Sequence, residues 1–214
     1  MSCFGDEHIE AAQQVIRYLY GTRTWGITFS KHGSSSPHLS EELPDLYPEI
    51  AAYTDADLAG DLSTMRSTGG FTLNLSGGTI SWSSKRQTTV ALSTAQAEVL
   101  AAIEGAKQIM HVRMFLHELG FPQRKPTAVY EDNQAAISMV ASGENAKRAK
   151  YYQMKVCFLQ EQHELGEFSF VKVGTAHQLA DVFTKALPRD KFNYFRTLLG
   201  VHPSSIIAVQ PDAV

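Results

Sequence analysis

The run from Gly70 to Ser84 constrains the fold more than any other part of the chain. Gly70-Phe71-Thr72-Leu73-Asn74-Leu75 alternates with period two, Ser76-Gly77-Gly78 is a turn signal, and Thr79–Ser84 alternates again. Two such segments around a glycine-rich turn form a β-hairpin, and a hairpin needs a third partner and an apolar layer to be stable. The next signal supplies that layer. Ser93 followed by Gln96 is a capping-box pattern, and it opens a helix that runs to about Leu119, where Gly120 and Pro122 stop it. Three further segments read as strands: Ile50–Asp57 before the hairpin, and Thr127–Asp132 and Phe168–Val173 after the helix. Asn133–Ala141, Lys147–Leu165, His177–Ala186 and Asp190–Leu199 read as helices, with Pro188 separating the last two. A meander followed by alternating helices and strands predicts an α/β protein with a five-stranded mixed sheet flanked by helices.

Residues 1–48 differ in character from the rest. Asp6–Tyr20 predicts a helix with Ala11, Val15, Ile16 and Leu19 on its apolar stripe, and Thr24–Phe29 a short strand. Lys31–Pro48, with Gly33, three consecutive serines and three prolines, predicts a linker. The expected division is 1–48, 49–200, and a flexible tail over 201–214.

Hydrophobic residues at 43% and charged residues at 19% are those of a globular chain with a real core. No apolar run approaches the ~20 residues of a membrane span, and Met1–Glu10 lacks a signal-peptide pattern. Two distant cysteines, Cys3 and Cys157, offer neither a disulfide framework nor a cysteine zinc site. The expectation is an intracellular protein, cytoplasmic or nuclear, with no membrane partner. The net charge is -3. Residues 1–50 hold three basic and seven acidic side chains, and the remainder sixteen and fifteen. Bulk electrostatic attraction to nucleic acid is therefore excluded, and any such binding must use locally placed basic groups.

The acids carry the chemistry. Aspartate is depleted in strands, yet Asp55 lies within the first strand of the sheet and Asp132 ends the fourth. Glu98 is in the first turn of the long helix, among Ala97, Ala101, Ala102 and Gly105, a small-residue face that can approach a sheet closely. Asp181 lies in a late segment between Ala180 and Val182. Four acids on four elements can converge at one end of the sheet, where mutual repulsion calls for a cation, and hard divalent ions take oxygen ligands. The competing reading makes each acid a cap or turn residue. For Asp181 taken alone, and for Asp57 and Asp61, that reading is preferred.

Several ordered motifs then resemble a known family. Ala52-Tyr53-Thr54-Asp55-Ala56-Asp57, Arg66-Ser67-Thr68-Gly69-Gly70, Ile80-Ser81-Trp82-Ser83-Ser84-Lys85-Arg86-Gln87, Val90–Glu98, Glu131-Asp132-Asn133-Gln134-Ala135-Ala136-Ile137 and Gln178–Lys185 resemble the ribonuclease H domain of copia-type LTR retrotransposon Pol polyproteins. The resemblance covers about residues 50–200, and His8–Thr22 with Trp25–Phe29 is similar to the stretch joining that domain to the reverse transcriptase. It implies an RNase H-like fold and endonucleolytic hydrolysis of the RNA strand of RNA–DNA hybrids with two Mg²⁺ or Mn²⁺ ions. The metal-holding catalytic residues it implies are Asp55, Glu98, Asp132 and Asp181, and the reverse transcriptase of the same polyprotein is the implied partner. Three departures stand out: Lys150-Tyr151-Tyr152-Gln153 replaces the usual Lys-His-Ile-Asp, Cys157 replaces a later His, and Val99 replaces the Tyr after the catalytic Glu.

Around the acids, Lys85, Arg86 and Gln87 are expected to hold the hybrid's phosphates, which positions a substrate without reading its sequence. Lys147, Arg148, Lys150 and Lys155 form a second basic cluster, equally readable as a solvated helix face. Asn133 and Gln134 are placed to meet ribose 2′-hydroxyls, although Asn133 also suits a helix cap. His177, one helical turn before Asp181, is either an auxiliary that helps product leave or a surface residue. Trp82 is expected in the core. Two other functions compete. A catalytically inactive scaffold domain with the same fold would still bind nucleic acid. A transposase would order its acids Asp…Asp…Glu, whereas here Glu98 comes second.

Overall fold

The computed structural model describes residues 5–30, 49–142 and 150–204. Its centre is β2 (Ala51–Asp61), whose first six residues are all buried. β3 (Arg66–Leu75) and β4 (Gly78–Arg86) continue from it as an antiparallel meander, and β5 (Thr127–Glu131) and β6 (Phe168–Lys172) add in parallel on its other side. The order β4-β3-β2-β5-β6 is the expected five-stranded mixed sheet. Parallel neighbours need crossovers, and α2 (Thr94–Glu118), then α3 (Gln134–Ser142) and α4 (Lys150–Glu164), supply them.

Each face of the sheet has its own core. Ala52, Phe71, Leu73 and Val129 point to α2, α3 and α4, where they meet Val99, Ile109, Val156 and Leu159. Ala51, Tyr53 and Tyr130 point the other way, to Leu179 and to Phe195 of α6 (Arg189–Leu198). The Tyr53 and Tyr130 rings stack there at 4.6 Å. The alternation follows from the two-residue period of a strand covered on both sides.

Small residues set how closely the helices sit. The buried face of α2 carries Ala97, Ala101, Ala102, Gly105 and Ala106. A Cβ on Gly105 would stand 2.8 Å from the Thr54 methyl carbon, so the helix can lie against β2 only because that residue is glycine. The opposite face repeats the device at Gly70, where a Cβ would lie 2.8 Å from both Phe183 Cβ and Thr184 Cγ2 of α5 (Asp181–Thr184).

Four expectations change. Residues 177–186 are not one helix: Thr175–His177 form a 3₁₀ turn, an irregular step follows, and α5 is a single turn. Gln178 causes the break, because its side chain is fully buried and donates to the Thr54 carbonyl, tying the segment to the sheet instead of to its own helix. Val201–Pro203, expected to trail loosely, form β7, antiparallel to β1 (Trp25–Ile27). Thr28 N–H donating to the Gly200 carbonyl extends that pair, and Ser30 N–H to the Ser76 carbonyl with Thr79 N–H to the Leu199 carbonyl joins it to the β3–β4 hairpin. Trp82, expected in the core, is 55% exposed because it sits on the edge strand β4. The Ser93 cap holds, but Gln96 accepts from Leu92 N–H, one residue earlier than a capping box requires. The second basic cluster lies partly outside the described residues, since Lys147 and Arg148 fall there.

α1 (Asp6–Gly21) has no buried residue, and it touches the rest through Tyr18, edge-on to Phe192 at 5.8 Å. Among the described residues no helix is long and apolar enough to cross a membrane.

Gly105→Val should therefore destabilise the full chain by about 1–3 kcal/mol, as overpacking does. Exposed Lys107→Ala should change it little. Urea unfolding of the two variants checks this.

Candidate functional site

β2 and β5 stay paired only as far as Tyr53 and Tyr130. Gln178 closes the gap beyond that point, donating to the Thr54 carbonyl at 2.8 Å and to the Tyr130 carbonyl at 3.4 Å. Asp55 and Asp132 lie just past this parting, where ligands bind in α/β sheets.

Glu98 reaches the same place from α2, one residue past its first turn. Gln87 steadies that turn by donating to the Ala97 carbonyl at 2.9 Å. One carboxylate oxygen each from Asp55, Glu98 and Asp132 lies within 4.8 Å of the others. Asp55 is 1% and Glu98 5% exposed. Thr184 donates its hydroxyl to Asp55, and Lys172 donates to the Asp132 carbonyl.

Asp181 stands on the other side of Asp55, and cations meet it there. Its Oδ1 is 2.8 Å from Lys185 Nζ and its Oδ2 2.7 Å from Lys191 Nζ. The Lys185 ammonium also lies 3.4 Å from Asp55 Oδ2. The four acids expected together are thus split into a cradle of three and a lysine-bound fourth.

A fifth acid had no expected role. Glu131 is 1% exposed and accepts from the Thr54 hydroxyl and the Asn133 N–H, both at 3.0 Å. The sequence signal for it was an acid at the buried end of an apolar strand, directly before Asp132. Lys185 was signalled by its i+4 spacing from Asp181, whereas nothing local marked Lys191.

Burial dominates the electrostatics. It pushes Glu98 up to about 10, with the carboxylates of Glu131, Asp55 and Asp132 adding to the effect. It also lifts Glu131 to about 8, against the opposing hydrogen bonds from Asn133 and Thr54. Asp55 is raised by burial too, partly offset by the Thr184 hydroxyl and Lys185. Glu98 Oε2 is buried without a hydrogen-bond partner. A buried acceptor facing two other carboxylates, with oxygen donors only, fits a hard divalent cation.

The expected substrate residues are scattered. Lys85 and Arg86 are exposed on the edge strand, and Arg86 is paired with Asp61. Asp61, expected in a turn, is instead the last residue of β2, paired with Arg66, and its carboxylate holds the turn that follows by accepting from Ser63 and Thr64. Asn133 caps α3, its Oδ1 accepting from Ala135 and Ala136 N–H at 3.0 and 3.1 Å. Gln134 is exposed and donates to Ser138. His177 is exposed on the 3₁₀ turn.

No family model matches the chain. The retrovirus-related Pol polyprotein of transposon TNT 1-94 from Nicotiana tabacum is 37% identical over 198 residues, covering 92% of this chain and 14% of its own length. This chain is homologous to a segment of retrotransposon Pol polyproteins. The Pol polyprotein of transposon RE1 from Arabidopsis thaliana is 34% identical over 196 residues, 92% of this chain and 12% of its own. The segment thus spans about a seventh or less of these relatives. Solved structures similar to it include LC11-RNase H1 in complex with an RNA/DNA hybrid, at 18% identity and a TM-score of 0.48 over 64% of this chain and 94% of that one. The foamy viral protease-reverse transcriptase, also in complex with an RNA/DNA hybrid, is 13% identical with a TM-score of 0.46 over 70% of this chain and 21% of that one.

Raised carboxyl pKa values make a stability prediction for this chain. Folded Glu98 and Glu131 hold protons that the unfolded chain releases near 4.5, so their contribution is lost as pH rises toward 8 and then 10. In EDTA the Tm should fall from pH 5 to pH 9. Mg²⁺ should raise it more at pH 8 than at pH 6, because an ion favours the ionised cradle. Thermal melts across that range, with Glu98→Gln flattening the slope, check both statements.

Proposed function

We propose that this chain is a ribonuclease H, a metal-dependent endonuclease that hydrolyses the RNA strand of RNA–DNA hybrids during reverse transcription of a retrotransposon. The observation that carries the reading is the cradle of Asp55, Glu98 and Asp132, with an unpartnered buried oxygen on Glu98. Homology with Pol polyproteins supplies the context, and the reverse transcriptase of the same polyprotein is the partner we expect.

Asp55, Glu98 and Asp132 would hold a divalent cation, and a second would lie between Asp55 and Asp181, where the Lys185 ammonium now stands. Bound Mg²⁺ or Mn²⁺ polarises the scissile phosphate and makes water a competent nucleophile at neutral pH. The chain's own residues do the rest. β2 and β5 fix Asp55 and Asp132, the Ser93 cap and Gln87 fix the first turn of α2, and Thr184 orients the Asp55 carboxylate. Lys85 and Arg86, on the exposed edge of the sheet, bind phosphates of the hybrid. Residues 49–200 form the nuclease unit.

Two measurements test this. Asp55→Asn should abolish cleavage of the RNA strand of a labelled hybrid, by about 10²-fold or more, while leaving hybrid binding intact. Hybrid binding that persists with no cleavage by the native chain would favour the inactive scaffold. Lys85→Ala with Arg86→Ala should weaken hybrid binding and lower the slope of log affinity against log salt by about 1–2. Fluorescence anisotropy at several salt concentrations reads that slope.

A further inference from the structure

The two sides of the carboxylate cluster are not charged alike. Asp55, Glu98 and Asp132 converge with Lys185 at the Asp55 edge of the group, 3.4 Å from Asp55 Oδ2, and Glu98 keeps a buried oxygen with no donor. Asp181 has a cation at each oxygen, Lys185 at 2.8 Å and Lys191 at 2.7 Å. The two lysines are held differently. Lys191 also donates to the Thr175 carbonyl at 3.2 Å and sits 5.1 Å from the centre of the Phe195 ring, so three groups fix its ammonium. Lys185 bridges two carboxylates, standing 3.4 Å from Asp55 Oδ2 as well, and its side chain is 35% exposed. It follows Asp181 by one helical turn, at the end of an α5 only four residues long. An ammonium on that stem can leave for solvent without disturbing the backbone.

We propose that Lys185 is the built-in positive charge of the Asp55–Asp181 side. The native chain then takes one divalent ion in the Asp55–Glu98–Asp132 cradle, and a second enters only by displacing the Lys185 ammonium. This rests on the metal-dependent reading given above. Asp55 belongs to both sides, so the lysine sets how much negative charge remains for a second ion. A divalent ion brought next to an ammonium is repelled, and at these separations the repulsion is felt even at the high effective dielectric of a protein surface.

The test is a Mn²⁺ titration of the full chain without nucleic acid, with free Mn²⁺ followed by electron paramagnetic resonance. The native chain should take up one ion tightly. Lys185→Met should gain a second site, or tighten a weak one by about tenfold or more. Lys185→Arg, which keeps the charge, should match the native isotherm. Lys185→Gln provides the same comparison if circular dichroism finds the Met variant unfolded. Two ions of comparable affinity in the native chain would overturn the proposal, and so would a neutral variant with the native isotherm. Hybrid cleavage is measured separately. The expected isotherms without cleavage would leave the charge assignment standing and remove the ribonuclease reading, whereas cleavage with two equal native sites would do the reverse.

Discussion

Burying several carboxylates at one end of a sheet is the costliest feature of this chain, and much of its architecture answers that cost. Asp55, Glu98, Glu131 and Asp181 are each no more than 5% exposed, and Asp132 is half-buried beside them. An isolated ionised carboxylate in such a place would take up a proton instead of staying charged. The fold answers each acid by a different means. Glu131 is met by the Thr54 hydroxyl and the Asn133 N–H, Asp181 by two ammonium groups, and Asp55 by Thr184 with Lys185 nearby. Glu98 Oε2 is left buried with no donor, whereas Asp181 Oδ1 faces the Lys185 ammonium, and that imbalance fits the cradle to a cation.

The acids come together because small residues let their supports come together. α2 brings Glu98 to β2 only because Gly105 lies against Thr54, and α5 brings Asp181 and Thr184 to Asp55 only because Gly70 leaves room for Phe183 and Thr184. Polar residues then hold the opening in place. Gln178 spans the parting of β2 and β5, and it breaks the late helix to do so. Close packing and polar satisfaction thus act together: packing fixes the distance between elements, and hydrogen bonds fix where the strands separate.

Much of this was legible from local pattern. The hairpin turn at Ser76-Gly77-Gly78, the Ser93 cap and the depleted aspartates at Asp55 and Asp132 are short-range signals, set by turn chemistry, capping and strand propensity. Trp82 was misread because alternation does not tell an edge strand from a central one, and its exposure depends on which strand is last in the sheet. The helix expected over 177–186 failed because Gln178 finds its partners at Thr54 and Tyr130, far away in sequence.

The sequence by itself determined the five strands, the long capped helix, and an Asp–Glu–Asp–Asp order of candidate acids, because each is written in residues that are neighbours along the chain. Only the tertiary structure decided how those acids are divided. That three face one another, with an oxygen of Glu98 unpartnered, while Asp181 is held by Lys185 and Lys191 depends on where α2, α5 and α6 pack against the sheet. Coulombic interaction between side chains depends on separation in space, and packing, not chain order, sets that separation.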